Sequence, residues 1–220
     1  MSKKLRIGIA LFTSFTLITY LIAWSPLFSV RTISTKGIPA SVDRLALISS
    51  MDINLGDRLA RIDPRSIERS LEEVSWVKSA SLERDWINGE VTLILKRKIA
   101  VGIYQGRAID GQGTLFDSPE VLSKNLPIVT AANPKIGLVA VDLFTKFPNE
   151  IKGSTLSVSA SANGVISTWQ QRGNGKVKII WGSAGDIDLK VSVLKALLQL
   201  PENSKVKRVD LSAPHAPIVK

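Results

Sequence analysis

Residues 61–101 constrain the fold most, because they predict a helix that is followed by a β-hairpin. Asp63 is a favourable N-cap, and Pro64 falls at the first helical position, where a missing N–H costs nothing. Ile67, Leu71 and Val74 then recur at helical spacing and give the helix one apolar stripe. After Trp76 the apolar residues recur every second position, which is typical of a strand that is buried on one face.

The hairpin is predicted by two alternating runs that are joined by a turn signal. Val91, Leu93 and Leu95 alternate with more polar residues in the returning strand. Asn88 and Gly89 lie between the runs, and this dipeptide favours a two-residue type I′ turn, which needs positive φ at both positions.

The residues before this unit predict one more strand and one more helix. The strand begins at Val30 and is broken by Gly37, and Ser41 can cap a short helix. A short extended piece is predicted at residues 59–62. The expected order is strand, helix, helix, strand, strand, with two helices on one face of a three-stranded sheet, which is an α+β arrangement.

The chain begins with a stretch that predicts a membrane anchor. Residues 7–24 carry no charge, and eighteen helical residues span about 27 Å, close to the hydrocarbon core of a bilayer. Lys3, Lys4 and Arg6 precede the stretch, so the positive-inside rule places the N-terminus in the cytoplasm. The alternative is a cleaved signal peptide, but the bulky residues after Ala23 are unfavourable for cleavage.

The second half of the chain has a different pattern. Residues 99–185 contain short extended runs that are separated by turn signals, including a predicted hairpin from Val165 to Trp181. One helix is predicted from about Asp188 to Leu200, where Pro201 ends it, and a final strand is predicted at residues 206–212. We therefore expect a mostly antiparallel β domain with a C-terminal helix and an edge strand.

Composition and motifs argue against several kinds of chemistry. The net charge is +10, but the basic residues are dispersed and no basic–aromatic run predicts nucleic-acid binding. The chain has no cysteine, and its single histidine, His215, lies between prolines close to the C-terminus. The glycines match neither a dinucleotide-binding motif nor a P-loop. Six aspartates could in principle supply a pair of catalytic carboxylates, but most lie at turn signals: Asp110, Asp117, Asp142, Asp186, Asp188 and Asp210.

These observations predict an anchored interaction protein with no catalytic, cofactor-binding or metal site and no small-molecule substrate. An alternative is a membrane-anchored extracytoplasmic hydrolase of the cell wall, which would use the aspartates.

Short motifs occur at five places between residues 30 and 214. They are V-x-x-I-x-T-x-G at residues 30–37, W-V-x-x-A-x-L-x-R-x-W at 76–86, D-G-x-G-x-x-F at 110–116, L-P at 126–127 and V-D-L-S-x-P at 209–214. In this order and spacing they resemble the FtsQ/DivIB family of bacterial cell-division proteins. The chain departs from the family pattern at Ile87 and Ile99, where prolines are common, and at Lys96, where a glutamate is common.

The resemblance implies a domain organisation and a role. The expected domains are a short cytoplasmic tail (1–6), a transmembrane helix (7–26), a POTRA domain (27–98) and a β domain (99–220). Such proteins are non-enzymatic scaffolds of the divisome. They bind FtsB/DivIC-like and FtsL-like bitopic partners outside the cytoplasm and link early and late division proteins. The expected location is the cell membrane at the division septum, as a single-pass type II protein. Another POTRA-containing envelope protein remains an alternative.

The resemblance also places partner binding on the β domain. A final strand at a sheet edge offers N–H and C=O groups to which a partner strand can pair. The predicted partner-binding residues are those of this strand: Val206, Lys207, Arg208, Val209, Asp210, Leu211 and Ser212. The alternative is that this strand packs only within its own sheet.

Overall fold

The computed structural model describes residues 3–24 and 28–220, and it describes side chains of the N-terminal helix for residues 7–20. The chain divides into two compact units, Met1–Arg97 and Lys98–Lys220.

The N-terminal helix α1 spans Lys3–Trp24. Its described apolar side chains are exposed, and the hydroxyls of Thr13, Thr16 and Thr19 donate to carbonyl oxygens four residues earlier at 2.8–2.9 Å. Among the residues that the structure describes, no helix is both long enough and apolar enough to cross a membrane. Residues 1, 2, 25 and 26 of the predicted tail and span lie outside the described residues, as do the side chains of the orienting residues Lys3, Lys4 and Arg6.

The rest of the first unit contains two helices and three strands in the predicted order. They are β1 (Thr32–Lys36), α2 (Arg44–Ser50), α3 (Pro64–Glu72), β2 (Val77–Asp85) and β3 (Glu90–Arg97). The sheet order is β1-β3-β2, with β1 parallel and β2 antiparallel to β3. Asp63 caps α3 as predicted, since its carboxylate accepts from the N–H groups of Arg65 and Ser66.

Three local predictions in this unit were wrong. Asp43 caps α2 in place of Ser41, and residues 59–61 form a 3₁₀ turn in place of an extended piece. The hairpin between β2 and β3 forms, but its loop has four residues, since Asp85 pairs with Glu90. Asp85 explains the longer loop, because its carboxylate accepts from the N–H groups of Ile87 and Asn88.

Two of the motif residues have clear structural roles in this unit. Gly37 adopts a φ of +80°, and a Cβ at this position would overlap the backbone carbonyl of Leu95, so only glycine lets β1 end against β3. The Arg84 guanidinium donates to the carbonyl oxygens of Leu59 and Ile62 at 2.9 and 3.0 Å. The 3₁₀ turn is thereby fixed to β2.

The second unit, residues 98–220, is described throughout and contains a nine-stranded sheet of order β12-β11-β10-β9-β8-β7-β4-β5-β6. Its strands are β4 (Gly102–Tyr104), β5 (Arg107–Ile109), β6 (Leu115–Phe116), β7 (Ile128–Ala131), β8 (Thr155–Ala160), β9 (Ile166–Arg172), β10 (Gly175–Gly182), β11 (Arg208–Asp210) and β12 (Ile218–Val219). Five neighbouring pairs are antiparallel and three are parallel, namely β4–β7, β7–β8 and β10–β11. The sheet is therefore mixed, with antiparallel pairs in the majority.

Three helices lie in this unit, whereas the sequence predicted one. They are α4 (Pro134–Lys146), α5 (Asn149–Ser154) and α6 (Ile187–Gln199). Buried residues of all three helices join one core with alternate residues of the central strands, such as Val158 of β8, Ile179 of β10 and Val209 of β11. The helices therefore cover one face of the sheet.

Candidate functional site

The final strand predicted from the sequence does not lie at an edge of the sheet, because β12 forms that edge and β6 forms the opposite one. β11 pairs with β10 on one side and with β12 on the other. The expected edge position of residues 206–212 is therefore wrong. The cause is the segment after Ser212, which turns at residues 214–215 and returns as β12. His215 lies exposed in this turn, within the hairpin that β11 and β12 form.

The hydrogen bonds show which way the edge strand faces. Arg208 and Lys220 exchange two backbone hydrogen bonds of 2.9 Å, and Val209 lies opposite Val219. In an antiparallel pair, hydrogen-bonded and non-hydrogen-bonded positions alternate. The N–H and C=O of Val219 therefore point away from β11, towards the outer side of the sheet.

The predicted partner-binding residues divide into a buried and an exposed group. Val209 and Leu211 are fully buried in the core, and Val206 packs against it. Lys207, Arg208 and Ser212 are exposed. The buried residues hold the strand in its own sheet, so a partner can contact only the exposed ones directly.

Asp210 lies between these groups, half-buried next to Arg208. Burial raises the pKa of its carboxyl, but hydrogen bonds from Ser212 and the nearby Arg208 guanidinium outweigh this effect and hold the pKa below its ordinary value. The backbone N–H of Ser212 donates to Asp210 Oδ1 at 3.0 Å, and Arg208 Nη2 lies 3.5 Å from Oδ2. Asp210 is thus a charged residue that stabilises the turn after β11.

The edge strand is continuous with a sheet face that the helices do not cover. On this face, Ser157, Trp169, Lys178 and Arg208 are neighbours in register across β8, β9, β10 and β11. Trp169 keeps 43% of its surface exposed, although β9 lies between two other strands. This surface was not predicted from the sequence. The sequence did contain a signal for it. In residues 165–181, buried and more exposed positions alternate along each strand, and Trp169 falls among the more exposed and mostly polar positions.

The aspartates considered for catalysis each have a structural contact or a place at a helix start. Asp110 accepts from the backbone N–H groups of Gln112 and Thr114, Asp117 pairs with Arg107 at 2.8 Å, and Asp142 pairs with Lys146 at 2.7 Å. Asp186 precedes α6, and Asp188 lies in its first turn. In the described part of the chain, no three His, Asp or Glu side chains gather as a metal site would require.

Comparison with protein families assigns both units. Residues 28–96 match the model of the POTRA domain, FtsQ-type, and residues 99–212 match that of the C-terminal region of the cell division protein FtsQ/DivIB. No curated protein sequence matches the chain. The second match ends at Ser212, so β12 lies beyond it. The two adjoining matches confirm the resemblance seen in the motifs, and the chain belongs to the FtsQ/DivIB family of cell-division proteins.

Proposed function

We propose that the chain is a membrane-anchored, non-enzymatic scaffold of the divisome that binds FtsB/DivIC-like and FtsL-like partners through the outer edge of β12. The family supports the division role. The observation that carries the binding mode is the outward direction of the Val219 N–H and C=O at the end of the sheet. A partner segment can add there as a further strand, with main-chain hydrogen bonds supplying affinity.

The side chains around β12 suit such an addition. Ile218 keeps 56% of its surface exposed, and Val219 is also partly exposed on the opposite face of the sheet. An added strand could therefore bury one apolar side chain on each face. Lys207 and Arg208, which the sequence predicts as partner-binding residues, lie beside this edge and would favour an acidic partner.

We also propose the membrane topology and domain bounds that the sequence predicts. Residues 7–26 would form a transmembrane anchor between a cytoplasmic tail (1–6) and the extracytoplasmic POTRA (27–98) and β (99–220) domains. Lys3, Lys4 and Arg6 would keep the tail in the cytoplasm. Support comes from the uncharged stretch, and the described threonine hydroxyls of α1 donate to the helix backbone, which is compatible with hydrocarbon surroundings. The protein would be enriched at the septum.

The test compares Val219→Pro with Val219→Ala in the full chain. Proline removes the outward N–H while edge strands tolerate it, whereas alanine keeps the N–H and removes most of the side chain. The binding partners are the extracytoplasmic regions of the FtsB/DivIC-like and FtsL-like proteins of the same organism. We expect the proline variant to lose at least about tenfold in affinity, and the alanine variant to lose clearly less, since the main-chain bond persists.

Absence of binding by the wild-type chain would refute the proposed partners. Equal affinity of the proline variant and the wild type would refute the edge as their site. A fluorescent fusion in dividing cells tests the location independently, and uniform membrane staining throughout constriction would contradict the septal role.

A further inference from the structure

The uncovered face of the β-domain sheet carries an exposed tryptophan among basic side chains. The core residues of β9 and β10 point towards α4, α5 and α6, so the residues between them point to the opposite face. Trp169 lies at the centre of this face, with Ser157 beside it on β8 and Lys178 beside it on β10. Arg208 continues the row on β11, so the row crosses four strands and spans about 14 Å.

An exposed tryptophan at the middle of a sheet is unusual for a surface that only faces water. Large aromatic side chains are mostly buried, and they are enriched in the centres of protein–protein interfaces. Trp169 instead lies on a central strand, at a position where the solvent-facing residues of a sheet are usually polar. The position therefore indicates a contact that is made by another molecule.

The charges around Trp169 indicate what this molecule carries. The Lys178 ammonium lies 5.9 Å from the centre of the Trp169 ring, so the ring holds the cation at the surface by a cation–π contact. Lys176 lies two residues away on the same side of β10, and Arg208 neighbours Lys178 on β11. The one acidic side chain on this part of the face is Asp210, which already faces Arg208. The surface is thus a basic rim around an aromatic centre.

We propose that this face binds an acidic segment of the protein partner, which places an apolar side chain on Trp169 and carboxylates against Lys176, Lys178 and Arg208. The proposal rests on the proposed function, because it gives the edge-binding partner a second contact. The face and the edge are continuous, since β12 is paired to β11 next to Arg208. A partner that pairs with β12 can therefore place an adjoining segment over the neighbouring face of the sheet.

The test uses charge reversal and truncation on the full chain, with the same FtsB/DivIC-like and FtsL-like extracytoplasmic regions as probes. Lys178→Glu reverses the central cation, and Trp169→Ala removes the ring. Lys135→Glu and Val139→Ala are matched controls, because both residues are exposed on α4, on the helix-covered side of the sheet. We expect each face variant to weaken binding at least about tenfold, as for hot-spot residues, and each control to stay within about twofold.

The outcomes separate this inference from the proposed function. If Val219→Pro abolishes binding while both face variants bind like the wild type, the edge site stands and the face is not a partner surface. If the wild type binds neither probe, both proposals fail. A thermal melt of each variant guards against misfolding, and Lys178→Arg, which keeps the charge, must retain binding. If the face variants lose sedimentation with purified cell-wall glycan but keep partner affinity, the face binds glycan and the inference is wrong.

Discussion

At the scale of single residues, the most unusual group in the β domain is the buried Lys190 of α6. Its side chain is 2% exposed, and its Nζ donates to the carbonyl oxygens of Trp181 and Ser183 at 2.8 Å each. These carbonyls belong to the end of β10 and to the loop that leads into α6. Lys190 therefore fixes the start of α6 to the end of β10. The cost is the desolvation of its ammonium group, which is buried away from water.

The first prediction concerns the pH dependence that Lys190 gives to stability. Burial lowers the pKa of Lys190 below its ordinary value of 10.5, although Asp186 acts in the opposite direction. Below its folded pKa, the charged lysine destabilises the folded state by the full cost of its burial. This cost decreases as pH rises from the folded pKa to the unfolded pKa, and above the unfolded pKa it is absent. Stability should therefore rise with pH in the window between the two values, by at most about 1.4 kcal/mol per pH unit.

The measurement is urea unfolding of the wild type and Lys190→Met from about pH 8 to about pH 11. Titration of the other groups cancels in the difference between the two proteins. We expect the stability of the wild type relative to the variant to increase with pH. A difference that is constant or falls over this range would show that the ammonium is not penalised by its surroundings.

At the scale of elements, α3 protects the edge of the POTRA sheet that is formed by β2. β2 lies at the edge, and its Ala80 and Leu82 N–H groups donate to the carboxylates of Glu72 and Glu68 at 3.1 and 2.8 Å. An edge strand with open N–H groups invites pairing with other chains, and side chains that occupy these groups prevent it. The charged face of α3 thus has a structural use that its sequence pattern alone does not show.

The second prediction is that removal of these carboxylates weakens β2. Glu68→Ala should destabilise the domain by about 1–2 kcal/mol, and Glu72→Ala by less, since its hydrogen bond is more exposed. Amide hydrogen exchange should accelerate at Leu82 in the first variant and at Ala80 in the second. Glu73→Ala, at the exposed end of the same helix, is the control. Unchanged exchange at both amides would mean that the carboxylates do not protect the edge.

The order of helices and strands in the POTRA domain could be predicted because several of its elements carry strong local signals. Asp63, Pro64 and the apolar stripe of α3 are read without tertiary information, as is the period of two in β3. The loop at Asn88 differed from the prediction because Asp85, three residues earlier, competes for the same backbone N–H groups. Such competition between two favourable turns depends on geometry that a dipeptide pattern does not include.

The β domain was predicted less completely, and α4 and β12 show why. Asn133 and Pro134 begin α4 as Asp63 and Pro64 begin α3, and the Asn133 side chain accepts from the N–H of Ile136 at 2.9 Å. This cap signal was available, but the dipeptide also favours a turn. β12 has two residues and follows Pro217, so no periodicity can reveal it. Its existence depends on pairing with β11, and the proposed binding edge could therefore be located only in three dimensions.

At the scale of the whole molecule, the net charge bears on the partner binding that we propose. The chain has a net charge of +10, and both proposed contact surfaces have exposed basic residues. A basic protein attracts an acidic partner before contact, which raises the association rate, and salt screens this attraction. In the proposed complex, the dissociation rate would depend mainly on short-range contacts such as strand pairing and burial of Trp169.

The last prediction follows from this separation of long-range and short-range forces. From about 0.05 M to about 0.5 M NaCl, the association rate constant of the wild-type chain with its extracytoplasmic partner should fall at least about tenfold. The dissociation rate constant should change much less, and surface plasmon resonance measures both. Lys178→Glu should lower the association rate at low salt and flatten its salt dependence, whereas Val219→Pro should mainly accelerate dissociation at every salt concentration. If association is independent of salt, charge does not guide the encounter, and the basic residues of the sheet face act only after contact.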